Sequence, residues 1–310
     1  MYDIIGDIHG HAAELRQLLE MMGYSEEGSE WKHPERQVIF LGDFVDRGPE
    51  QFEVLTIAKS MVEKGSALAV MGNHEFNAVA WATEHPDKAN DYLRPHSDKN
   101  KEQHQAFLDQ VTEGSDTHLA LLKWFKTLPL YLDLDGIRVV HACWHPEQLA
   151  VLDTYLDKGN RIRPDAWPDL ALKDGGGYEA LEVVLKGLEV ELPKPHSFLD
   201  KNGHRRTGIR TAWWNTHATT FHDVAMVPGD EIRKIPQLPI EAGILPGYDG
   251  EKPVFIGHYW LKGEPEPLHP NIACLDYSVA GEKGGKLCAY RWQGEHTLKS
   301  ENFCWVERSV

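Results

Sequence analysis

Cysteine is scarce in this 310-residue chain: only Cys143, Cys274, Cys288 and Cys304, widely spaced and with no C-x-x-C pair. That argues against a zinc ribbon and a disulfide framework, and makes reduced thiols in a cytoplasmic protein the expectation. Basic residues are also in short supply, 32 Lys and Arg against 48 Asp and Glu, a formal charge of −16 at pH 7. An acidic surface repels phosphate backbones and anionic headgroups, so neither a nucleic-acid duplex nor a membrane is an expected partner. No window carries the long apolar run of a membrane span, and Tyr2-Asp3-Ile4-Ile5-Gly6-Asp7 lacks the basic and apolar regions of a secretory leader. Internal repeats and low-complexity tracts are missing too. What is present, 41% hydrophobic and 26% charged residues, is the composition of an ordinary folded globular chain.

Three short apolar segments in the first 75 residues each end in glycine and a polar cluster. Ile4-Ile5 leads to Gly6-Asp7-Ile8-His9-Gly10, residues 37–41 lead to Gly42-Asp43, and residues 67–71 lead to Gly72-Asn73-His74-Glu75. Helical periodicity fills the gaps, with Leu15, Leu18, Leu19 and Met22 in one stretch and Val54, Leu55, Ala58, Met61 and Val62 in the next. This is a βαβ rhythm, and sites in open α/β sheets collect at the strand ends. Further strands are expected at 137–140, ending in His141, at 254–256, ending in Gly257-His258, and at 272–275 and 287–292. The expectation is a single domain over 1–310 with two insertions, a solvated helical one at 85–118 and a lid at 145–250.

The polar residues at the strand ends are Asp7, His9, Asp43, Asp46, Arg47, Asn73, His74, His141 and His258. Carboxylate, amide oxygen and neutral imidazole make a donor set of borderline softness, suited to Mn²⁺, Fe²⁺ or Zn²⁺ more than to Ca²⁺. Too many for one ion, they suit two ions about 3.5–4 Å apart that share a carboxylate and a water turned to hydroxide.

Gly6-Asp7-Ile8-His9-Gly10, Gly42-Asp43-Phe44-Val45-Asp46-Arg47-Gly48 and Gly72-Asn73-His74-Glu75 resemble, in order and strand context, the signature blocks of the calcineurin-like metallophosphoesterases. The Val45-Asp46-Arg47-Gly48 ending is similar to the phosphoprotein phosphatase branch, which includes bacterial diadenosine tetraphosphatases. The resemblance implies an α/β fold, an αββα sandwich of two mixed sheets flanked by helices. It implies two divalent ions, Mn²⁺ above Fe²⁺/Fe³⁺, Zn²⁺ or Ni²⁺. Asp7 and His9 would bind the first ion, Asp43 would bridge, and Asn73, His141 and His258 would bind the second. His74 would be the general acid, oriented and kept cationic by Asp46, and Arg47 would clamp the phosphoryl oxygens. His141 is followed by Ala142-Cys143-Trp144 where the family usually has glycines, a departure that bears on the substrate and leaves the metal chemistry intact.

A second phosphate-binding arginine is expected from the lid. Residues 201–210 hold Lys201, Arg205, Arg206 and Arg210 with no acid among them. Arg210, just before Thr211-Ala212-Trp213-Trp214, is the choice and Arg206 the alternative. Glu75 is expected to be a helix-start charge, and Trp213, Trp214, Trp144, Tyr259 and Trp260 packing residues before base-stacking ones. The expected activity is metal-dependent hydrolysis of phosphoesters by direct attack, without a phospho-enzyme, on a phosphomonoester in the manner of a serine/threonine phosphatase. Hydrolysis of dinucleoside polyphosphates is the alternative, and a non-catalytic scaffold is disfavoured because every expected ligand and the proton donor are retained. A large cap and the acidic surface lean toward a small phosphorylated molecule over a phosphoprotein.

Overall fold

A computed structural model of the chain describes residues 1–28, 30–200, 203–281 and 284–308, so Lys201 of the basic lid segment lies outside the described residues. Two sheets form the centre. In the first, Tyr2–Ile5, Gln37–Phe40 and Ala67–Ala69 run parallel, Ile4 facing Ile39 across the ladder. The antiparallel strand Lys286–Trp292 continues that sheet toward Asp276–Tyr277 and Phe303–Glu307. In the second, Arg138–Val140, Val254–Ile256 and Ile272–Cys274 are parallel and Tyr131–Asp133 closes one edge antiparallel.

Side chains alternate across each strand with period two, which decides what each sheet face buries. Ile4, Ile39 and Val70 of the first sheet meet Val139, Phe255 and Ala273 of the second in one dry cluster between the sheets. Their neighbours Ile5, Phe40, Val140 and Ile256 point the other way, under the helices. The strands therefore need apolar residues at successive positions, because both faces are covered. Helices Ala12–Met21, Gln51–Lys64 and Asn73–Trp81 follow the three parallel strands of the first sheet. Ala12–Met21 buries Leu15, Leu18 and Leu19 as its periodicity requires, and Gln51–Lys64 stops at Gly65, whose φ of 88° gives the left-handed cap. The architecture is the expected αββα sandwich.

The stretch around residue 100 differs from its expected solvated character. Helix Asp98–Val111 buries His104, Phe107, Leu108 and Val111 against the main core. Its polar residues misled because most occupy one side of the helix, and the four buried ones are spaced 3, 1 and 3 apart, as one buried stripe requires. The segment 145–250 has two parts. Its helices, Pro146–Asp153, Trp167–Ala171 and Tyr178–Lys186, pack into the main core. Beyond them a small sheet of Glu189–Glu191, Gly208–Thr211 and Ala225–Met226 carries a core of its own, built from Leu192, Phe198, Ile209, Phe221, Val224 and Ile235.

Phe107 is fully buried, so Phe107→Ala is expected to lower the urea-unfolding free energy of the whole chain by about 3–5 kcal/mol. A solvated insertion would lose less than about 1 kcal/mol.

Candidate metal centre

The six parallel strands all end on one side, and the loops leaving them converge. Several residues there adopt left-handed backbone that a side chain resists: His9 (φ 46°), Asp43 (52°), Asp46 (65°), Arg47 (76°), His258 (71°) and Trp260 (54°). Each such residue costs about 1–3 kcal/mol unless its surroundings fix it, and their concentration at one spot marks a built site. Glu75 is part of what fixes them. Its buried carboxylate accepts the Asp43 N–H at 2.7 Å, the Phe44 N–H at 2.8 Å and the Gly72 N–H at 3.1 Å, tying the Asp43 loop to the start of helix Asn73–Trp81. Burial, with the charge of Asp43, pushes the Glu75 carboxyl up to about 7. The residue is thus a loop anchor as well as a helix-start charge. Two glycines are needed for space taken by the ligands themselves. A Cβ on Gly257 would stand 2.1 Å from Asp7 Oδ1, and one on Gly72 would stand 2.2 Å from Asp43 Oδ1.

The donor atoms point inward. His9 Nδ1–H donates to Val45 O at 2.9 Å and His141 Nδ1–H to Leu41 O at 2.7 Å, tautomers that leave both Nε2 lone pairs for a cation. His9 Nε2 and His258 Nε2 are buried with no hydrogen-bond partner among the described residues. Two sets of donors, His9, Asp43 and His74, and Asp43, His141 and His258, each fall within 4.8 Å, and Asp43 belongs to both. Asn73 Oδ1 lies 3.2 Å from His141 Nε2, on the second set's side. Asp7 accepts the His258 N–H at 3.0 Å, which places its carboxylate beside that histidine loop. These residues fit divalent metal ions, with Asp43 common to both donor sets, and the buried imidazole nitrogens of His9 and His258 are the observation that carries the fit.

Electrostatics agree. Burial, with Asp276 and Asp43 close by, pushes the Asp7 carboxyl well up, whereas His141 and His74 outweigh burial at Asp43 and hold it well below the carboxylate range. His9 is lowered to about 3 by burial and by His74, and His258 is lowered by burial and by Arg210. His141 goes the other way, to about 10, because Asp43 and Asp7 outweigh its burial. The pocket thus favours positive charge beside Asp43, as a proton or a metal ion.

His74 is 13% exposed and lines the cleft above this centre, with its Nδ1 2.5 Å from Asp46 Oδ2 and its Nε2 3.9 Å from Asp43 Oδ2. Burial opposes its charge, but Asp43 and Asp46 prevail and raise its pKa above the ordinary value. The other oxygen of Asp46 accepts from His104 Nδ1 at 2.8 Å, and Gln51 Oε1 accepts the Asp46 N–H at 2.8 Å. His104 and Gln51 escaped the sequence reading: one sits 58 residues from its partner on a helix taken for solvated, and the other is an ordinary first-turn residue. Asp276 opens the short strand Asp276–Tyr277. It is buried and accepts the Trp260 N–H at 2.7 Å and the Ser278 N–H at 2.9 Å.

Arg47 lines the cleft with its guanidinium 4.5 Å from the Trp260 ring centroid. Arg210, on the strand Gly208–Thr211, also lines the cleft, with Glu189 3.7 Å away. Arg206 is exposed and pairs with Asp200 at 2.9 Å, away from the cleft. Trp213 is buried, its Nε1 3.2 Å from Ala142 O and 3.0 Å from Tyr259 Oη, so it packs the small sheet onto the sandwich and faces no ligand.

The calcineurin-like phosphoesterase family model matches residues 2–182, more than half of the chain. The chain belongs to that family. Among curated proteins it is 43% identical over 74 residues to the asymmetrical bis(5'-nucleosyl)-tetraphosphatase PrpE of Halalkalibacterium halodurans, covering 24% of this chain and 30% of that one. The Bacillus subtilis PrpE is 32% identical over 144 residues, 46% of this chain and 57% of the relative. A symmetrical bis(5'-nucleosyl)-tetraphosphatase of Methylococcus capsulatus is 26% identical over 201 residues, 59% and 62%. The matched stretch thus spans less than two thirds of each relative. Among solved structures, a cold-active protein tyrosine phosphatase superposes with a TM-score of 0.52 at 15% identity, covering 93% of this chain and 73% of that one. A Saccharomyces cerevisiae serine/threonine phosphatase gives 0.51 at 14% identity, covering 100% and 79%. These two likenesses establish the fold alone. No helix among the described residues is long and apolar enough to cross a membrane.

Added Mn²⁺ is expected to raise the melting temperature, by the equivalent of about 2.7 kcal/mol at a hundredfold excess over Kd. In Asp43→Asn, which removes the carboxylate common to both donor sets, the gain disappears. Calorimetric scans with and without Mn²⁺ read both outcomes.

Proposed function

We propose that the chain hydrolyses dinucleoside polyphosphates, using its metal-binding residues, His74 and two arginines. The observation that carries this substrate class is the charge of the cleft. It encloses about 750 Å³ above the metal centre and is lined by six cations, Arg47, Arg94, Lys99, Lys173, Lys186 and Arg210, against two acids, Asp43 and Glu182. In a chain of net charge −16 this is a local inversion, and a space of that size suits a small polyanion. The names of the curated relatives support the same class. A serine/threonine-phosphatase type of monoester hydrolysis, the first expectation from the sequence, gains support from the fold alone. The four unpaired cysteines suit a cytoplasmic enzyme.

In this reading Asp7, His9 and Asp43 hold one divalent ion, and Asp43, Asn73, His141 and His258 hold the other, Mn²⁺ being the favoured metal. When bound, the ions supply Lewis acidity and lower the pKa of a water for in-line attack. Arg47 and Arg210, which both line the cleft, bind the equatorial oxygens of the attacked phosphoryl group. His74 Nε2–H gives its proton to the departing oxygen, while Asp46, held by His104, orients the ring and stabilises its charge. We take the chain as one catalytic domain in which residues 145–250 supply the wall carrying Lys173, Lys186 and Arg210.

A panel at fixed free Mn²⁺ tests the substrate class. A dinucleoside tetraphosphate is expected to exceed both a phosphoserine peptide and an alkyl phosphomonoester in kcat/KM, and a preference for the peptide would overturn the proposal.

The role of His74 has its own signature. Because its pKa is raised, kcat on an alkyl phosphate is expected to hold through neutral pH and to fall above that raised pKa as the acid is lost. His74→Asn is expected to remove this alkaline limb and to lower kcat about 10²–10⁴-fold on the alkyl ester, whose alkoxide needs a proton. The loss on the tetraphosphate is smaller, since a phosphate leaving group is already stable as an anion. Equal losses on the two substrates would refute the assignment.

A further inference from the structure

Arg94 has no role in the chemistry above, yet the structure holds it in place with care. Its N–H donates to Ala80 O at 3.0 Å, at the end of the helix that begins with Asn73 and His74. On either side the chain is clamped by a ring stack. His96 lies flat between Trp81, 3.7 Å between centroids, and Tyr92, 4.0 Å, and His96 Nε2 is 2.9 Å from Trp81 O. Leu93, next to Arg94, is buried and its N–H donates to Thr83 O at 2.9 Å. The loop is thus rigid where the arginine leaves it.

The guanidinium itself is short of partners. Nη2 donates to Gln103 Oε1 at 2.9 Å, whereas Nη1 is buried without an acceptor among the described residues. No carboxylate lies within 4.0 Å of Arg94, Lys99 or Lys173 among the described residues, although acids outnumber bases in the chain. Burial lowers the Arg94 pKa and the charge of Asp46 partly opposes this, so the guanidinium senses the catalytic carboxylate's field. A partly buried cation without a counter-charge is costly, and an anion in the cleft it lines would supply what the protein withholds. In the reading above the attacked phosphoryl group already has Arg47 and Arg210, so a third fixed cation lining the same cleft is left for a second anionic group on the same ligand.

We propose that Arg94, with Lys99 and Gln103 beside it, forms a second phosphate subsite that takes phosphoryl groups of a polyphosphate chain beyond the one attacked. The subsite deepens the function proposed above and rests on that reading for its physiological ligand. It turns a phosphoesterase centre toward chains of phosphate, because a monoester has no further phosphoryl group to offer Arg94.

Equilibrium binding of inorganic tripolyphosphate and of orthophosphate, by calorimetry on the full chain at fixed free Mn²⁺, isolates the subsite from turnover. Wild type is expected to bind tripolyphosphate at least about tenfold tighter, the worth of one charge-assisted contact. Arg94→Gln should shrink that ratio to within about threefold and Arg94→Lys should restore part of it, because charge without the planar fork remains. A ratio near one in wild type, or an undiminished ratio in Arg94→Gln, overturns the proposal. Should Arg94→Gln unfold, exposed Lys99→Gln decides alone: a ratio reduced about two- to threefold supports the subsite, and an unchanged one overturns it. Dinucleoside tetraphosphate turnover is scored separately. A wild type that prefers tripolyphosphate but cleaves no dinucleoside tetraphosphate refutes the proposed reaction and leaves the subsite standing.

Discussion

Three carboxylates, Asp7, Asp43 and Asp276, are each about 2% exposed and each is within reach of the others' fields. Like charges in a low-dielectric interior repel strongly, and no hydrogen-bond network made of neutral groups removes that repulsion. The pocket is therefore stable only with positive charge inside it. Much of the surrounding structure follows from this constraint: imidazoles with their Nδ1 sides tied to backbone carbonyls, left-handed loop residues braced by Glu75, and glycines at Gly72 and Gly257 where a methyl would strike a carboxylate. The same charge acts on His74, whose pKa Asp43 and Asp46 raise above the ordinary value against the effect of burial.

The sequence made most of this centre visible because its ligands come in contiguous blocks at strand ends. Asp7 and His9, Asp43 and Asp46, Asn73 and His74 each lie within one loop, where spacing alone shows that several donors share a place. His141 and His258 were visible for the related reason that each follows a short apolar strand. What stayed hidden depends on packing between distant segments. His104 meets Asp46 only because helix Asp98–Val111 turns its apolar stripe inward, and a polar-rich stretch conceals a stripe three or four residues in period. Glu75 looked like a helix-start charge, and the backbone N–H groups it accepts 30 residues upstream have no signature of their own. The sandwich was legible as a fold class, but the division of residues 145–250 into core helices and a small separate sheet was not, since both parts are amphipathic.

Net charge gave an incomplete picture for a different reason. The value of −16 is a sum over the whole chain, and it correctly disfavours large polyanions that must approach the surface at many points. A cleft averages over far fewer groups. Its six cations come from segments far apart in sequence, around residues 47, 94–99, 173–186 and 210, so no window of the chain announces them. An acidic exterior around a cationic cleft favours a ligand small enough to leave the exterior behind.

The small sheet beside that cleft is fastened next to the candidate site. Trp213, three residues after Arg210, places its indole nitrogen against Ala142, which follows His141, and against Tyr259, which follows His258. The N–H groups of Ala142 and Cys143 in turn donate to Val184 O near the end of helix Tyr178–Lys186, the helix that carries Lys186 into the cleft. The loops that carry His141 and His258 and the segments that carry Lys186 and Arg210 are thus parts of one packed unit. A flap swinging freely at this end would have to break the Trp213 contacts and expose a large buried aromatic. Arg210 stands close enough to His258 for its charge to lower that imidazole's pKa, and the strand that carries Arg210 and the loop that carries His258 are positioned together by the same tryptophan.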